Sequence, residues 1–306
     1  MSGNPENALL KGVSRSFYIT LRLLPGPMRE AASLGYLLAR TSDTLADTAA
    51  VPVEVRMQCL DSFGQALGGD RAVPAWPVEM SEAVGDAGEH LLLGRTDQLF
   101  DWLGRMPAGE AELIREVVGI IISGQKLDLE RFAGADGNHP VALENDEALE
   151  DYAWRVAGCV GAFWTKLGFL TMEERFSKAS ESTLMDLGIA YGKGLQLVNI
   201  LRDLPVDLAA GRCYLPAAEP HDIEGLLGLH GRWLERALEW NAAGFSYADK
   251  LRSRRLRAAT VLPAMIARDT LERLRGADWA GLQTRIKVPR SRVYLAVIRA
   301  FAGCTG

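Results

Sequence analysis

The chain has few cysteines and histidines, and neither type is spaced as in a metal site. The four cysteines and four histidines are scattered, with no Cys-x-x-Cys pair. A structural zinc site needs four such ligands, usually in closely spaced pairs. We therefore expect a reduced protein without a zinc site.

Long apolar runs are also missing. The longest purely apolar stretch lies around Ile120–Ile122, far short of the ~20 residues of a membrane-spanning helix. Residues 1–6 are polar and lack the basic and apolar regions of a signal peptide. We expect a soluble, cytoplasmic protein, and contact with the periphery of a membrane stays open.

A strong charge of one sign is absent too. The 34 Lys and Arg against 39 Asp and Glu give a formal net charge of −5, so no general attraction to nucleic acid is expected. With 306 residues, 48% of them hydrophobic, the chain can bury one large core. We predict one domain over residues 1–306, as a monomer or weak homo-oligomer.

The segments that are present read almost entirely with a helical period, and the alternation typical of strands is absent. The fold class is therefore predicted as all-α. The predicted helices are Pro27–Ala49, Val53–Leu67, Met80–Arg95, Thr96–Met106, Ala111–Leu129, Asp146–Leu170, Ser180–Asp207, Ile223–Gly244, Arg252–Leu274 and Arg290–Ala302.

Two acidic pairs are the main chemical signal: Asp43 with Asp47, and Asp203 with Asp207. Asp residues four apart on a helix share a face, and their repulsion costs a few tenths of a kcal/mol. Mg²⁺ would compensate, because it prefers carboxylate oxygens and commonly bridges them to phosphate. Two such pairs suggest a diphosphate held between two helices.

Other polar residues align with each pair. Tyr36 and Arg40 fall within a ~60° arc with the first pair, and Gln196 and Asn199 within a ~80° arc with the second. A solvated helix face and a binding site both remain open. Pro205 removes a backbone donor, so the helix is predicted to kink or end there, which leaves the placement of Asp207 in doubt.

A glycine-containing segment, Tyr152–Gly161, lies between the two pairs. Gly158 and Gly161 each cost roughly 1 kcal/mol relative to Ala within a helix. They indicate either tight packing of two helices or a groove for a slender apolar substrate.

These motifs together resemble the squalene/phytoene synthases, head-to-head prenyl transferases of the isoprenoid synthase fold, in which helices surround a central cavity. Five ordered blocks over about 200 residues carry the resemblance. The blocks are Ser14–Tyr18, Tyr36–Asp47, Tyr152–Gly161, Gln196–Asp207 and Gly211–Pro216.

The resemblance implies roles for individual residues. The metal ligands would be Asp43, Asp47, Asp203 and Asp207, holding Mg²⁺ or, as the alternative, Mn²⁺ against the diphosphates of two farnesyl diphosphate molecules. The substrate-binding residues would be Ser14, Ser16 and Phe17 of a flap, the diphosphate-contacting Arg40 and Arg212, and the cavity residues Val156, Gln196 and Asn199. The catalytic residues would be Tyr152, Tyr36 and Arg40, with Tyr152 steadying a carbocation or taking a proton.

The product is predicted to be squalene, formed through presqualene diphosphate and reduced with NADPH. Thr44 after the first Asp resembles the squalene synthase form of the motif, and Lys287–Arg290 resembles a basic stretch that, with Asn199, would contact NADPH. That stretch reads equally as the basic start of a helix. The alternatives are phytoene or dehydrosqualene synthesis without reduction, and a non-catalytic binding protein of this fold.

Four arginines near the C-terminal third, Arg252, Arg254, Arg255 and Arg257, form a further basic group. Such a group can lie on anionic lipid or be a solvated helix face.

Overall fold

The computed structural model describes residues 9–10, 12–13, 17–69, 72–284 and 286–302. The predicted all-α class is confirmed, and the strands β1 (Val141–Ala142) and β2 (Arg212–Cys213) form one short parallel pair. The helices are α1 (Phe17–Leu23), α2 (Gly26–Asp47), α3 (Val53–Gly68), α4 (Val78–Ala83), α5 (Ala87–Leu93), α6 (Thr96–Arg105), α7 (Ala108–Arg131), α8 (Asp146–Ala153), α9 (Cys159–Met172), α10 (Glu181–Ala209), α11 (Ile223–Lys250), α12 (Arg254–Leu274), α13 (Trp279–Gln283) and α14 (Arg290–Ala302).

One predicted helix, Met80–Arg95, is wrong as a single element, because α4 and α5 are separate. The Asp86 side chain accepts hydrogen bonds from the backbone N–H groups of Gly88 at 2.8 Å and Glu89 at 3.2 Å. Asp at this position starts a new helix by satisfying its first free donors. The short elements α1, α13, β1 and β2 were not predicted, since none is long enough to show a period.

The chain divides into two compact units, residues 1–130 with 170–172 and residues 131–169 with 173–306. In the first unit, α2 is an amphipathic helix. Its Leu34, Leu37, Leu38 and Leu45 are fully buried, as their positions off the polar stripe predict. Packing of these leucines fixes the rotation of α2 and leaves its polar face available. The single domain over residues 1–306 stays a prediction.

In the second unit, α10 packs against α11, α12 and a π-helical turn, Trp154–Gly158, that joins α8 to α9. The buried core around α10 consists of Phe132, Leu143, Leu149, Leu197, Val198, Ile200, Leu201, Leu204, Leu208, Cys213, Tyr214, Leu215, Leu226, Trp233, Leu234, Ala237, Ala267, Leu271, Leu274 and Leu282.

Glycines allow α9 and the π-helical turn to approach α10 closely. A Cβ added to Gly161 would lie 1.9 Å from the carbonyl oxygen of Gly188, and one added to Gly192 would lie 2.2 Å from that of Ala157. Any larger residue at these positions would overlap backbone atoms. Tight packing, one of the two interpretations of this segment, therefore accounts for its glycines.

Helix α10 does not end at Pro205 but continues to Ala209. Pro205 has no N–H to donate to the carbonyl of Leu201. His230 on α11 supplies the missing donor, since its Nε2 lies 3.2 Å from the Leu201 oxygen. The side chain of His230 is buried. A second helix thus offsets the loss at the proline, and Asp207 follows Asp203 by one helical turn.

Candidate active site

The first carboxylate cluster lies in the first unit and consists of Tyr36, Arg40, Asp43 and Asp47 on α2, Glu89 on α5 and Gln125 on α7. Gln125 Nε2 donates to Asp43 Oδ1 at 2.6 Å. Arg40 forms an ion pair with Glu89, and its Nη1 lies 3.7 Å from Asp43 Oδ2. The predicted stripe on α2 is therefore met by side chains from two other helices.

Asp43 carries the strongest electrostatic signal of this cluster. Loss of hydration, followed by the charge of Asp47, raises the pKa of Asp43 to about 6, against the opposing effects of Arg40 and Gln125. The side chain nevertheless keeps 42% of its surface exposed. Asp43 is thus partly dehydrated and yet reachable from solvent.

Tyr36 connects this cluster to the N-terminal segment. Its hydroxyl donates to the carbonyl oxygen of Val13 at 3.1 Å. Loss of hydration raises its pKa to about 12, so Tyr36 is neutral at physiological pH. Val13 directly precedes the predicted flap. Ser14 and Ser16 of that flap lie outside the described residues, as does the side chain of Phe17.

The second carboxylate cluster lies in the second unit and consists of Gln196, Asn199, Arg202, Asp203 and Asp207 on α10 with Arg212 on β2. Arg202 donates from both Nε and Nη2 to the two oxygens of Asp203, the Nε bond being 2.9 Å. Arg212 Nη2 donates to Asp207 Oδ1 at 3.2 Å. Each carboxylate of this pair thus has its own guanidinium.

A tight turn after α10 brings Arg212 back to Asp207. Gly211 has a φ of 87°, a conformation that glycine adopts without steric cost. A Cβ at Gly211 would lie 2.5 Å from the backbone N of Asp136. The Gly211 carbonyl accepts a hydrogen bond from the N–H of Val141 at 2.9 Å, and the pairing of β1 with β2 continues from there.

Tyr152 on α8 lies in the second unit and stacks on Tyr214. The ring centroids are 4.9 Å apart and the planes differ by 21°. Phe132 packs edge-on against the ring of Tyr214, and the two ring centroids are 5.3 Å apart. Tyr152 is half-buried, so this aromatic group fixes its ring through packing.

The other predicted site residues differ in how far they are buried. Val156 is half-buried in the π-helical turn, Gln196 is half-buried and Asn199 is exposed. Lys287 is exposed in the segment before α14, and the side chain of Arg290 lies outside the described residues. The structure therefore groups the acidic and arginine residues, and the predicted NADPH contacts stay a prediction.

Four residues at these clusters were not predicted as site residues: Glu89, Gln125, Arg202 and Tyr214. Gln125 had a usable signal, because it follows Val118, Ile121 and Ile122 at a spacing that predicts burial. It is 8% exposed, and a buried Gln needs polar partners. Glu89 had no comparable signal, since its segment was predicted as one longer helix.

Comparison with known proteins identifies the class that these clusters define. The model of the squalene/phytoene synthase family matches residues 10–292. The chain belongs to this family, and the predicted resemblance is confirmed.

Individual relatives differ in how much of them the chain covers. It is 30% identical over 211 residues to the bifunctional lycopene cyclase/phytoene synthase of Phaeosphaeria nodorum, covering 68% of this chain and 33% of that protein. It is 27% identical over 307 residues to the presqualene diphosphate synthase of Zymomonas mobilis, covering 94% and 89%. The presqualene diphosphate synthase of Rhodopseudomonas palustris is 28% identical, with 86% and 84% covered.

Solved structures show the same fold. TcSQS in complex with the ligand E5700 aligns with a TM-score of 0.78 at 20% identity, covering 98% of this chain and 87% of that one. A dehydrosqualene synthase bound to a ligand aligns with a TM-score of 0.65 at 19% identity, covering 98% and 95%. The protein is therefore an all-helical prenyl transferase of the squalene/phytoene synthase family.

Proposed function

We propose that this protein condenses two molecules of farnesyl diphosphate head to head to presqualene diphosphate. The observation that carries the proposal is the presence in one chain of two carboxylate clusters, each with arginine. The two substrate molecules carry two diphosphate groups, and each cluster would bind one of them. The relatives matched over most of their length are named presqualene diphosphate synthase, which supports this product.

The first carboxylate cluster fits Mg²⁺. Burial, followed by the charge of Asp47, raises the pKa of Asp43 to about 6, and a bound cation would favour the charged form of this carboxyl group. Among the described residues no group of three or more His, Cys, Asp or Glu is placed to hold a metal ion. Two carboxylates would leave most coordination positions to phosphate oxygens and water, as Mg²⁺ prefers.

Mg²⁺ would be held by Asp43 and Asp47, and by Asp203 and Asp207 in the second cluster. When bound, it supplies positive charge that stabilises a departing diphosphate. The donor set of carboxylate oxygens suits this hard cation at both pairs. At the second pair, ion pairs with Arg202 and Arg212 already occupy carboxylate oxygens, so these must be shared with the arginines.

The arginines bind and orient the diphosphates. Guanidinium groups match phosphate oxygens in two-point hydrogen bonds. Arg40 is held by Glu89 and Arg212 by Asp207, so neither has to be ordered when the substrate arrives. Donors that are already in place stabilise developing charge without reorganisation.

Tyr152 is proposed to act on the hydrocarbon part of the reaction. Its ring is fixed against Tyr214, and an aromatic face attracts a cation through its quadrupole. We assign to Tyr152 the steadying of the allylic cation that remains when diphosphate leaves. Its hydroxyl is the proposed proton acceptor.

NADPH-dependent reduction to squalene is the second candidate outcome. It is favoured by Lys287, which is exposed directly before α14 in the stretch that resembles an NADPH-binding segment. Thr44, the other feature that favours squalene, is buried, and its hydroxyl donates to the Arg40 carbonyl at 3.0 Å. It therefore supports the helix rather than the polar stripe.

Purified protein incubated with farnesyl diphosphate and Mg²⁺, with and without NADPH, tests these proposals. Presqualene diphosphate in both reactions supports the main one, and squalene formed only with NADPH supports the second candidate. Dehydrosqualene in both reactions would contradict both. Phytoene from geranylgeranyl diphosphate would overturn the substrate, and no turnover of any prenyl diphosphate would favour a non-catalytic role.

A further inference from the structure

Helix α14 presents apolar side chains to the protein and also to solvent. Ala296 and Ala300 are buried in a small cluster with residues of α12. On another face, Leu295, Ile298 and Phe301 are 41%, 65% and 41% exposed. At 100° per residue these three side chains lie within an arc of ~120°. The exposed face is thus a continuous apolar stripe that the second unit leaves uncovered.

Arginines border this stripe. Arg292 and Arg299 are exposed and lie ~40–60° around the helix from Leu295, between the exposed and buried faces. Helix α14 contains no Asp or Glu. The Phe301 carbonyl accepts a hydrogen bond from Arg254 Nη2 at 3.4 Å, so the start of α12 meets the end of α14.

The start of α12 adds further positive charge. Arg252, Arg254 and Arg255 are exposed and Arg257 is half-buried, and the first turn contains no acidic residue. The N-terminal end of a helix dipole is itself positive and disfavours cations. Arginines at this end therefore oppose the dipole, and an external negative surface would relieve that repulsion.

We propose that the α14 surface docks on an anionic lipid bilayer. This surface is defined as Leu295, Ile298 and Phe301 with the arginines of α14, Arg292 and Arg299, and those at the start of α12, Arg252, Arg254, Arg255 and Arg257. An apolar stripe one helix wide, bordered by arginines, is the pattern of helices that lie in a membrane interface. The aliphatic stems of arginine pack along apolar surface while the guanidinium groups reach lipid phosphates.

The contact is peripheral, and the inference does not depend on the proposed reaction. Within the described ranges, no helix combines the length and the apolar character needed to cross a membrane. Asp269 lies 3.4 Å from Arg292 and 3.5 Å from Arg273, so Arg292 is partly neutralised.

Co-sedimentation with vesicles tests the α14 surface. The vesicles are phosphatidylcholine alone or phosphatidylcholine mixed with phosphatidylglycerol. We expect the protein to bind the anionic vesicles about tenfold more tightly or better, and added salt to weaken binding. Ile298→Asp should reduce binding by about tenfold, and Arg254→Gln/Arg255→Gln by about 25-fold, since each of the two charges contributes about fivefold near the surface.

Matched controls place the same changes elsewhere. Val78→Asp alters a 70% exposed apolar residue on α4, and Arg22→Gln/Arg105→Gln removes two exposed arginines on α1 and α6. Both controls should bind as the parent protein does, and circular dichroism checks that every variant is folded. Absence of binding to anionic vesicles, or unchanged binding by Ile298→Asp, would overturn the proposal. A concentration-dependent dimer dissolved by Ile298→Asp would assign the surface to a second copy instead.

Discussion

The two carboxylate clusters use the same residue types in opposite electrostatic arrangements. In the first, Asp43 and Asp47 repel each other and Arg40 is shared with Glu89. In the second, Arg202 pairs with Asp203 and Arg212 with Asp207. In the first cluster, the burial of Asp43 and its repulsion by Asp47 outweigh the effects of Arg40 and Gln125, whereas in the second each carboxylate has its own guanidinium. Two motifs that look equivalent along the sequence should respond differently to mutation.

Removal of a carboxylate should have the largest effect on turnover in both clusters. We expect Asp43→Ala and Asp203→Ala each to lower kcat by ~10²–10³-fold or more, because charge on the departing diphosphate loses its stabilisation. The rate of turnover is measured as the release of diphosphate. Asp186→Ala, an exposed change on the same helix as Asp203, should leave it unchanged. An active Asp203→Ala enzyme would refute the role of the second cluster.

The support beneath the second cluster is expected to be rigid. Gly161→Ala places a Cβ 1.9 Å from the Gly188 carbonyl oxygen, so the helices must separate, at a cost of about 3 kcal/mol or more in unfolding free energy. Gly119→Ala, on α7 with nothing near the new Cβ, should instead stabilise by up to ~1 kcal/mol. The unfolding free energies of the two variants are measured with urea. Equal changes in both would show that α9 and α10 tolerate separation.

Substitutions of Asp by Asn, which remove the charge, should change the unfolding free energy in opposite directions in the two clusters. In the absence of Mg²⁺ at pH 7, Asp43→Asn removes a repelled charge and should keep or raise the unfolding free energy. Asp203→Asn leaves Arg202 without its ion-pair partner and should lower it by ~1–2 kcal/mol. Urea unfolding with a chelator present makes the measurement. Equal losses in both variants would contradict the electrostatic difference.

The smallest predicted effect is in the pH dependence of stability. Burial lowers the pKa of His230 below its ordinary value of 6.5. The unfolded chain then binds a proton that the folded chain does not, so stability falls as pH falls through 6.5, by no more than ~1.4 kcal/mol per pH unit.

His230→Gln, which retains a donor for the Leu201 carbonyl, should remove this contribution. Its unfolding free energy at pH 5.5 and 7.5 is compared with that of the parent. Asp43 acts in the opposite sense, because a raised pKa makes acid stabilising. An identical pH dependence in both proteins would show that His230 does not titrate on unfolding.

Residues that share a continuous helix face were predictable from the sequence. Arg40 and Asp43 follow from helical spacing, as do the buried leucines beside them. Glu89 and Gln125 come from other helices, and spacing says nothing about which helices meet. Pro205 shows the same limit, since its lost hydrogen bond is offset by His230 on α11. At the site and at Pro205, the differences arose where a contact from a distant segment decided the local structure, whereas the break between α4 and α5 follows from the local cap at Asp86.

The sequence separation of these contacts has a consequence for folding. Arg202 and Asp203 are adjacent, and Arg212 lies five residues from Asp207, so each ion pair of the second cluster closes only a short stretch of chain. The hydrogen bond from Gln125 to Asp43 spans 82 residues, and the Arg40–Glu89 pair spans 49. Closing loops of that length costs chain entropy before any contact forms. We therefore expect the ion pairs of the second cluster to form before the contacts that complete the first.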